Sequence, residues 1–161
     1  MERTIHPIDS PIMLALHHVG YLVDDIPLTA RNFEVRFGYV AESLIITDPV
    51  QTAQVQFIRQ PEGSNWIELI SPTGNESKLS NSLRKGGGLH HLCYEVTDFP
   101  TACEKLRDEQ MLMICSPVPA AAFPGRKIAW FMGQDRLLVE LLESGPGPLS
   151  LSLLNMSKKR N

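Results

Sequence analysis

No apolar run in this chain approaches the roughly 20 residues that a membrane-spanning helix needs. The longest near the start, Ile12 to Leu16, is too short for a secretion signal. Cysteine is scarce: Cys93, Cys103 and Cys115 are odd in number and show no paired spacing. A disulfide scaffold is thereby excluded, and the expectation is reduced thiols in a cytoplasmic setting. Charge is limited too, at 20% of residues with a net of −3, which offers no electrostatic case for nucleic acid or an anionic membrane. A phosphate-cradling loop is also missing. The only glycine run, Gly86-Gly87-Gly88, precedes a strand pattern instead of opening a helix, and reads as a hinge. What remains is an ordinary soluble composition of 161 residues, 43% hydrophobic, long enough for one domain or for two small modules sharing a core.

What the chain does have is an internal repeat. Leu16-His17-His18-Val19-Gly20-Tyr21-Leu22-Val23-Asp24-Asp25-Ile26-Pro27 aligns without a gap to Leu89-His90-His91-Leu92-Cys93-Tyr94-Glu95-Val96-Thr97-Asp98-Phe99-Pro100. Further on, Trp66-Ile67-Glu68-Leu69-Ile70-Ser71 is answered by Leu138-Val139-Glu140-Leu141-Leu142-Glu143. The period is about 73 residues, too long for a solenoid unit, so one module is duplicated within the chain.

In order, residues 1–13 read as an extended arm. Val19, Tyr21 and Val23 then alternate with His18, Gly20 and Leu22, as on the two faces of a strand. Asp24-Asp25 offers an N-cap, Pro27 suits a first helical turn, and Ile26, Ala30, Phe33 and Phe37 recur at helical spacing up to Gly38. Val40 to Ile46, Ala53 to Arg59 and Trp66 to Ile70 follow as strands, giving β-α-β-β-β. A short helix within Ser77 to Lys85 leads into the glycines. The second module repeats the order with His90 to Val96, a helix over Phe99 to Glu109, Met111 to Cys115, Lys127 to Met132 and Leu137 to Leu142. Pro117 to Pro124 is expected to be a loop folded over whatever the sheet encloses. The units are thus module 1 at about 14–72 and module 2 at about 87–144, with a flexible tail over 145–161.

Each module places a histidine on its first strand and a glutamate on its last. Alternation puts His18 and His91 opposite the bulky apolar residues and beside the small Gly20 and Cys93, which leaves room for a ligand. His17 and His90 fall on the other side and are assigned structural roles. Glu68 shares a face with Trp66 and Ile70, and Glu140 with Leu138 and Leu142. A carboxylate in the middle of an apolar strand is costly to bury unless it is paired or bound to metal. Two histidines and two glutamates form a mixed N/O set suited to a divalent ion: Co, Ni, Mn, Zn or Fe.

On these residues the chain resembles the vicinal oxygen chelate (glyoxalase/bleomycin resistance/dioxygenase) superfamily across roughly residues 14–144. Gly87 to Val96, Leu138-Val139-Glu140-Leu141 and Ile67 to Pro72 most resemble the methylmalonyl-CoA epimerase family. The resemblance implies an α+β fold in which tandem βαβββ modules form a cupped mixed sheet around a metal held by His18, Glu68, His91 and Glu140. It implies a metal-dependent isomerase that epimerises a 2-methyl-branched acyl-CoA by α-proton abstraction, with Glu68 and Glu140 as acid and base. It further implies a homodimer acting on a small acyl-CoA or thioester. Some epimerases carry a separate glutamate base in the stretch matching Gln54-Val55-Gln56-Phe57, where this chain has no carboxylate. The alternatives are a glyoxalase I-type isomerase or lyase acting on a thiol adduct, and a non-catalytic protein that sequesters an antibiotic or similar small molecule. For a CoA phosphate the expected cations are Arg84, Lys85, Arg126 and Lys127, each of which is otherwise solvated surface charge.

Overall fold

The computed structural model of the chain describes residues 12–149. Its first half runs β1 (Ala15–Leu22), α1 (Ile26–Phe37), β2 (Val40–Ala41), β3 (Ile46–Asp48), β4 (Ala53–Arg59) and β5 (Trp66–Pro72). The helix α2 (Ser80–Arg84) connects it to β6 (Gly88–Val96), α3 (Phe99–Asp108), β7 (Leu112–Pro119), β8 (Lys127–Met132) and β9 (Leu138–Glu143). The strands form one nine-stranded mixed sheet in the order β2-β4-β5-β1-β6-β9-β8-β7, with β3 also paired to β4. The duplication is visible in that order. β1 and β6 lie antiparallel at the centre, and each has the last strand of its own module parallel on its outer side, β5 for β1 and β9 for β6.

Local chemistry sets the helix ends. Asp25 caps α1 by accepting the Leu28 N–H at 2.8 Å, and Gly38 closes it in the left-handed region at φ 71°. Asp98 does the same for α3, accepting from the Thr101 backbone N–H at 3.2 Å and the Thr101 hydroxyl at 2.8 Å. Both helices lie on one face of the sheet. Val23, Ile26, Ile58 and Leu69 pack with α1, and Val96, Phe99, Ala102 and Leu106 pack with α3. The opposite face carries a separate cluster that includes Leu22, Phe57, Ile70, Cys93, Phe123 and Trp130. Full burial of a side chain such as Phe57 stabilises the fold by roughly 1.5–3 kcal/mol.

Two expectations need correction. The strand over Val40 to Ile46 is split into β2 and β3. Between them the buried Ser43 hydroxyl accepts the Phe57 N–H at 2.9 Å and so replaces a ladder carbonyl. The loop expected from Pro117 begins later, because β7 continues to Pro119. β7 is an edge strand with register irregularities at Cys115 and Val118, and this is where proline costs a sheet least. In the region expected to be a flexible tail, Leu149 donates its N–H to the Ala122 carbonyl at 3.0 Å, and the Pro146 carbonyl accepts from Arg126 at 2.6 Å. Most of the expected arm and tail, residues 1–11 and 150–161, lies outside the described residues.

Candidate metal centre and cavity

The four strands that meet at the middle of the sheet each contribute one donor. Glu68 on β5, His18 on β1, His91 on β6 and Glu140 on β9 follow one another across the sheet, all on the face opposite the helices. The register makes the two halves equivalent: Gly20 lies beside Glu68 and His91, and Cys93 lies beside Glu140 and His18. A single chain therefore brings all four together. His18 Nε2 stands 3.1 Å from His91 Nε2. The Glu68 Oε2 is 3.5 Å from His18 Nε2 and 3.4 Å from His91 Nε2, and the Glu140 Oε2 is 3.3 and 3.5 Å from the same atoms.

These residues fit a divalent cation. Metal–ligand bonds of about 2.0–2.2 Å place neighbouring donors about 3.0–3.5 Å apart, the range observed. Two imidazole Nε2 atoms and two carboxylate oxygens also converge on one point, a mixed N/O donor set suited to such an ion. Among the described residues neither Glu68 nor Glu140 has a lysine or arginine partner. Buried charges in that state require a cation or protons. A second compact group, His17, His18 and Cys93, shares a ligand with the first. Its thiol is held far up by burial, which keeps it protonated.

The surroundings tune the cluster. Burial alone would lower His18, but the Cys93 thiol and the Glu140 and Glu68 carboxylates reverse this and raise it well above its usual value. Burial would likewise raise Glu140, yet hydrogen bonds and charge from His18 and His91 hold it well below the carboxylate range. His17 and His90 are pushed down to about 3 and about 4, chiefly by burial and next by the neighbouring imidazole, so both stay neutral.

Strict alternation predicts that His17 and His90 point away, and here the sequence misleads. The β1–β6 ladder shifts register between Leu16 and His18, and again between Gly20 and Tyr21, where His91 and Leu89 are the partners. His17 and His90 are the extra residues of two β-bulges, one per module. Each turns toward its neighbour, with Nδ1 at 2.8 Å from His18 Nδ1 and at 2.9 Å from His91 Nδ1.

Beside the donors lies a cavity of about 400 Å³. Glu68, His91 and Glu140 reach its wall, and Ala120, Ala122 and Phe123 of the connecting loop cover it as expected. Two charged lining residues were not expected. Asp48 puts a carboxylate on the cavity wall, where Gln54 to Phe57 have none. On β4 it is Val55 and Phe57 that belong to the cavity-face cluster, and Asp48 stands on the adjoining β3. Its Oδ1 is taken by the Val50 and Gln51 N–H groups at 2.9 Å each. Lys78 is the cation at the wall, donating to the Val50 carbonyl at 2.9 Å. Of the four cations expected to meet a phosphate, Arg84, Lys85 and Lys127 are exposed. Arg126 is buried and occupied by Glu95 at 2.7 Å and by the Glu143 and Pro146 carbonyls, so it has no donor to offer a phosphate.

Comparison with known proteins returns consistent relatives. The profile of the Glyoxalase/Bleomycin resistance protein/Dioxygenase superfamily matches residues 17–130. The Ethylmalonyl-CoA/methylmalonyl-CoA epimerase of Cereibacter sphaeroides is 32% identical over 131 residues, covering 78% of this chain and 95% of that protein. The mitochondrial methylmalonyl-CoA epimerase of Homo sapiens is 28% identical over 131 residues, covering 78% of this chain and 72% of its own. The crystal structure of methylmalonyl-CoA epimerase from Mycobacterium tuberculosis superposes with a TM-score of 0.75 at 21% identity, covering 87% of this chain and 95% of that one.

Proposed function

Since the chain belongs to the glyoxalase/bleomycin resistance protein/dioxygenase superfamily, we propose that it is an epimerase of a methylmalonyl-CoA-like, 2-methyl-branched acyl-CoA. The observation that carries this reading is the convergence of His18, Glu68, His91 and Glu140 on one point within a single chain, with Glu68, His91 and Glu140 reaching the cavity wall. The functional unit is residues 14–144, with both modules needed for one site. His18 and His91 with Glu68 and Glu140 would hold a divalent ion, one of Co, Ni, Mn, Zn or Fe, and that ion would supply Lewis acidity toward a substrate carbonyl.

The two carboxylates, each once released from the ion it would help to hold, do the proton work. They come from the outer strands of the ligand quartet, so the imidazole pair lies between them in the sheet order. One takes the α-proton from one face of the carbon, and the C–H electron pair moves into the adjacent carbonyl as an enolate. The other, protonated, returns a proton to the opposite face, and the C–H bond forms with inverted configuration. Exchange with solvent resets the pair. Ala120, Ala122 and Phe123 keep water off the intermediate and bound the acyl branch. Lys78 at the wall and exposed Arg84, Lys85 and Lys127 are the cations available to a CoA phosphate.

The same reading extends to a cytoplasmic homodimer. Its support is the pair of open edges, where β7 exposes Leu112 and Ile114. No helix among the described residues is long and apolar enough to cross a membrane.

The test is configurational. A single C2 epimer of methylmalonyl-CoA should be converted to a mixture of the 2R and 2S epimers by the metal-loaded protein, with conversion stopping after chelation and resuming on return of cobalt. A C2 configuration that stays unchanged beside protein shown to hold metal would defeat the proposal.

A further inference from the structure

An imidazole that offers Nε2 to a cation carries its proton on Nδ1, and a buried Nδ1–H needs an acceptor. Around such ligands that acceptor is ordinarily a carboxylate, a backbone carbonyl or water. Here it is another imidazole, twice. His17 Nδ1 is 2.8 Å from His18 Nδ1, and His90 Nδ1 is 2.9 Å from His91 Nδ1. The rings meet edge to face, with interplanar angles of 79° and 86°. Neither contact is available to consecutive residues of a regular strand, whose side chains diverge. Two bulges at equivalent places make both contacts possible.

Resting on the metal-centre reading, we infer that His17 and His90 are positioning residues. Each accepts the Nδ1–H of its neighbour and fixes that ligand in the tautomer that presents Nε2.

The outer halves of the two relays differ. A His17 that accepts at Nδ1 holds its own proton on Nε2, which faces the Glu95 carboxylate at 3.9 Å. Glu95 is held in turn by Arg126 at 2.7 Å, whose guanidinium lies over the Phe123 ring. The first ligand is thus tied to the loop that covers the cavity. In the repeat, Leu22 occupies the place of Glu95, so His90 has no carboxylate behind it. Its Nε2 makes no hydrogen bond among the described residues, and the residue lines the cavity.

Two measurements test this, both on the full chain. The first is zinc affinity by chelator competition for the wild type and for His17→Ala, His90→Ala, His17→Asn and His90→Asn. Asparagine carries its amide oxygen on Cγ, close to where Nδ1 sat, and keeps the acceptor. The alanine variants should bind zinc about 10- to 100-fold more weakly, and the asparagine variants should recover most of the loss. Wild-type protein that binds no zinc would defeat the metal centre itself. Wild-type binding with unchanged alanine variants, or with asparagine no better than alanine, would overturn the positioning role alone. The second is long-range proton–nitrogen NMR of zinc-loaded wild type, which is independent of how the variants fold. It should show His18 and His91 protonated at Nδ1 and His17 and His90 at Nε2. A proton on Nδ1 of His17 or His90 would also overturn the inference.

Discussion

The imidazole of His91 lies directly over the backbone of Gly20, where a β-carbon would collide with three ring atoms. Gly20 pairs with His91 across the β1–β6 ladder and neighbours Glu68 across β1–β5, so one missing side chain makes space for a ligand. The equivalent place in the other half is Cys93, which contacts His18. Gly20→Ala should therefore displace His91 and weaken zinc binding by on the order of 100-fold with the fold retained. Cys93→Ala should leave zinc affinity within about threefold, since the thiol is not among the four donors. Chelator competition on both variants reads the contrast. Unchanged affinity in Gly20→Ala would mean that the missing side chain is not needed for His91.

Glu68→Gln and Glu140→Gln separate the two proton transfers. If each carboxylate serves one face, each variant should still exchange the α-proton of one C2 epimer while epimerisation falls by about 10²- to 10⁴-fold. Mass spectrometry of each epimer in D2O follows both quantities. A variant that exchanges neither would identify one glutamate as the sole base. In that case Asp48→Asn is the next variant to measure, because Asp48 is the further carboxylate on the cavity wall.

Arg126→Ala should destabilise the protein by about 2 kcal/mol. A buried pair that loses one partner costs about 3–5 kcal/mol, and the figure is reduced because Glu95 is 32% exposed. Urea unfolding measures the loss. Zinc affinity should fall too, since Glu95 then loses its anchor behind His17. A stable variant with normal affinity would remove Arg126 from the relay.

Much of this architecture is legible from residues alone. The duplicated windows locate His18 and His91, and a glutamate amid apolar neighbours locates Glu68 and Glu140, because repetition and burial cost are both properties of local sequence. Asp25, Asp98 and Gly38 announce their helix ends for the same reason. The bulges at His17 and His90 are not legible, since a bulge is defined by two strands pairing out of step. Arg126 and Asp48 escape for a related cause. A loop cation looks solvated until its partners on other strands are known, and Asp48 reaches the cavity only through its pairing opposite Ala53. Ser43 interrupts a strand by bonding to a residue fourteen positions away.

The metal-free protein should lose stability in acid earlier than its carboxylates would dictate. His17 and His90 titrate at about 3 and about 4 in the fold, against 6.5 ordinarily. Between those values the unfolded chain binds protons that the folded chain refuses, so stability falls as pH drops from about 6.5 toward 4. Glu140, held low, adds a loss only at more acid pH. His18, held high, acts in the opposite sense, its contribution fading as pH rises above 6.5. Asparagine at both 17 and 90 should flatten the slope between pH 4 and 6.5, read by urea unfolding in pH steps. An unaltered slope would place the titration elsewhere.

The most direct measurement is proton NMR of methylmalonyl-CoA in D2O with the cobalt-loaded protein. Rapid loss of the α-proton signal, abolished by chelator and by Glu68→Gln with Glu140→Gln together, is what the proposed chemistry requires. A signal that persists beside protein shown to hold its metal would contradict α-proton abstraction from this substrate.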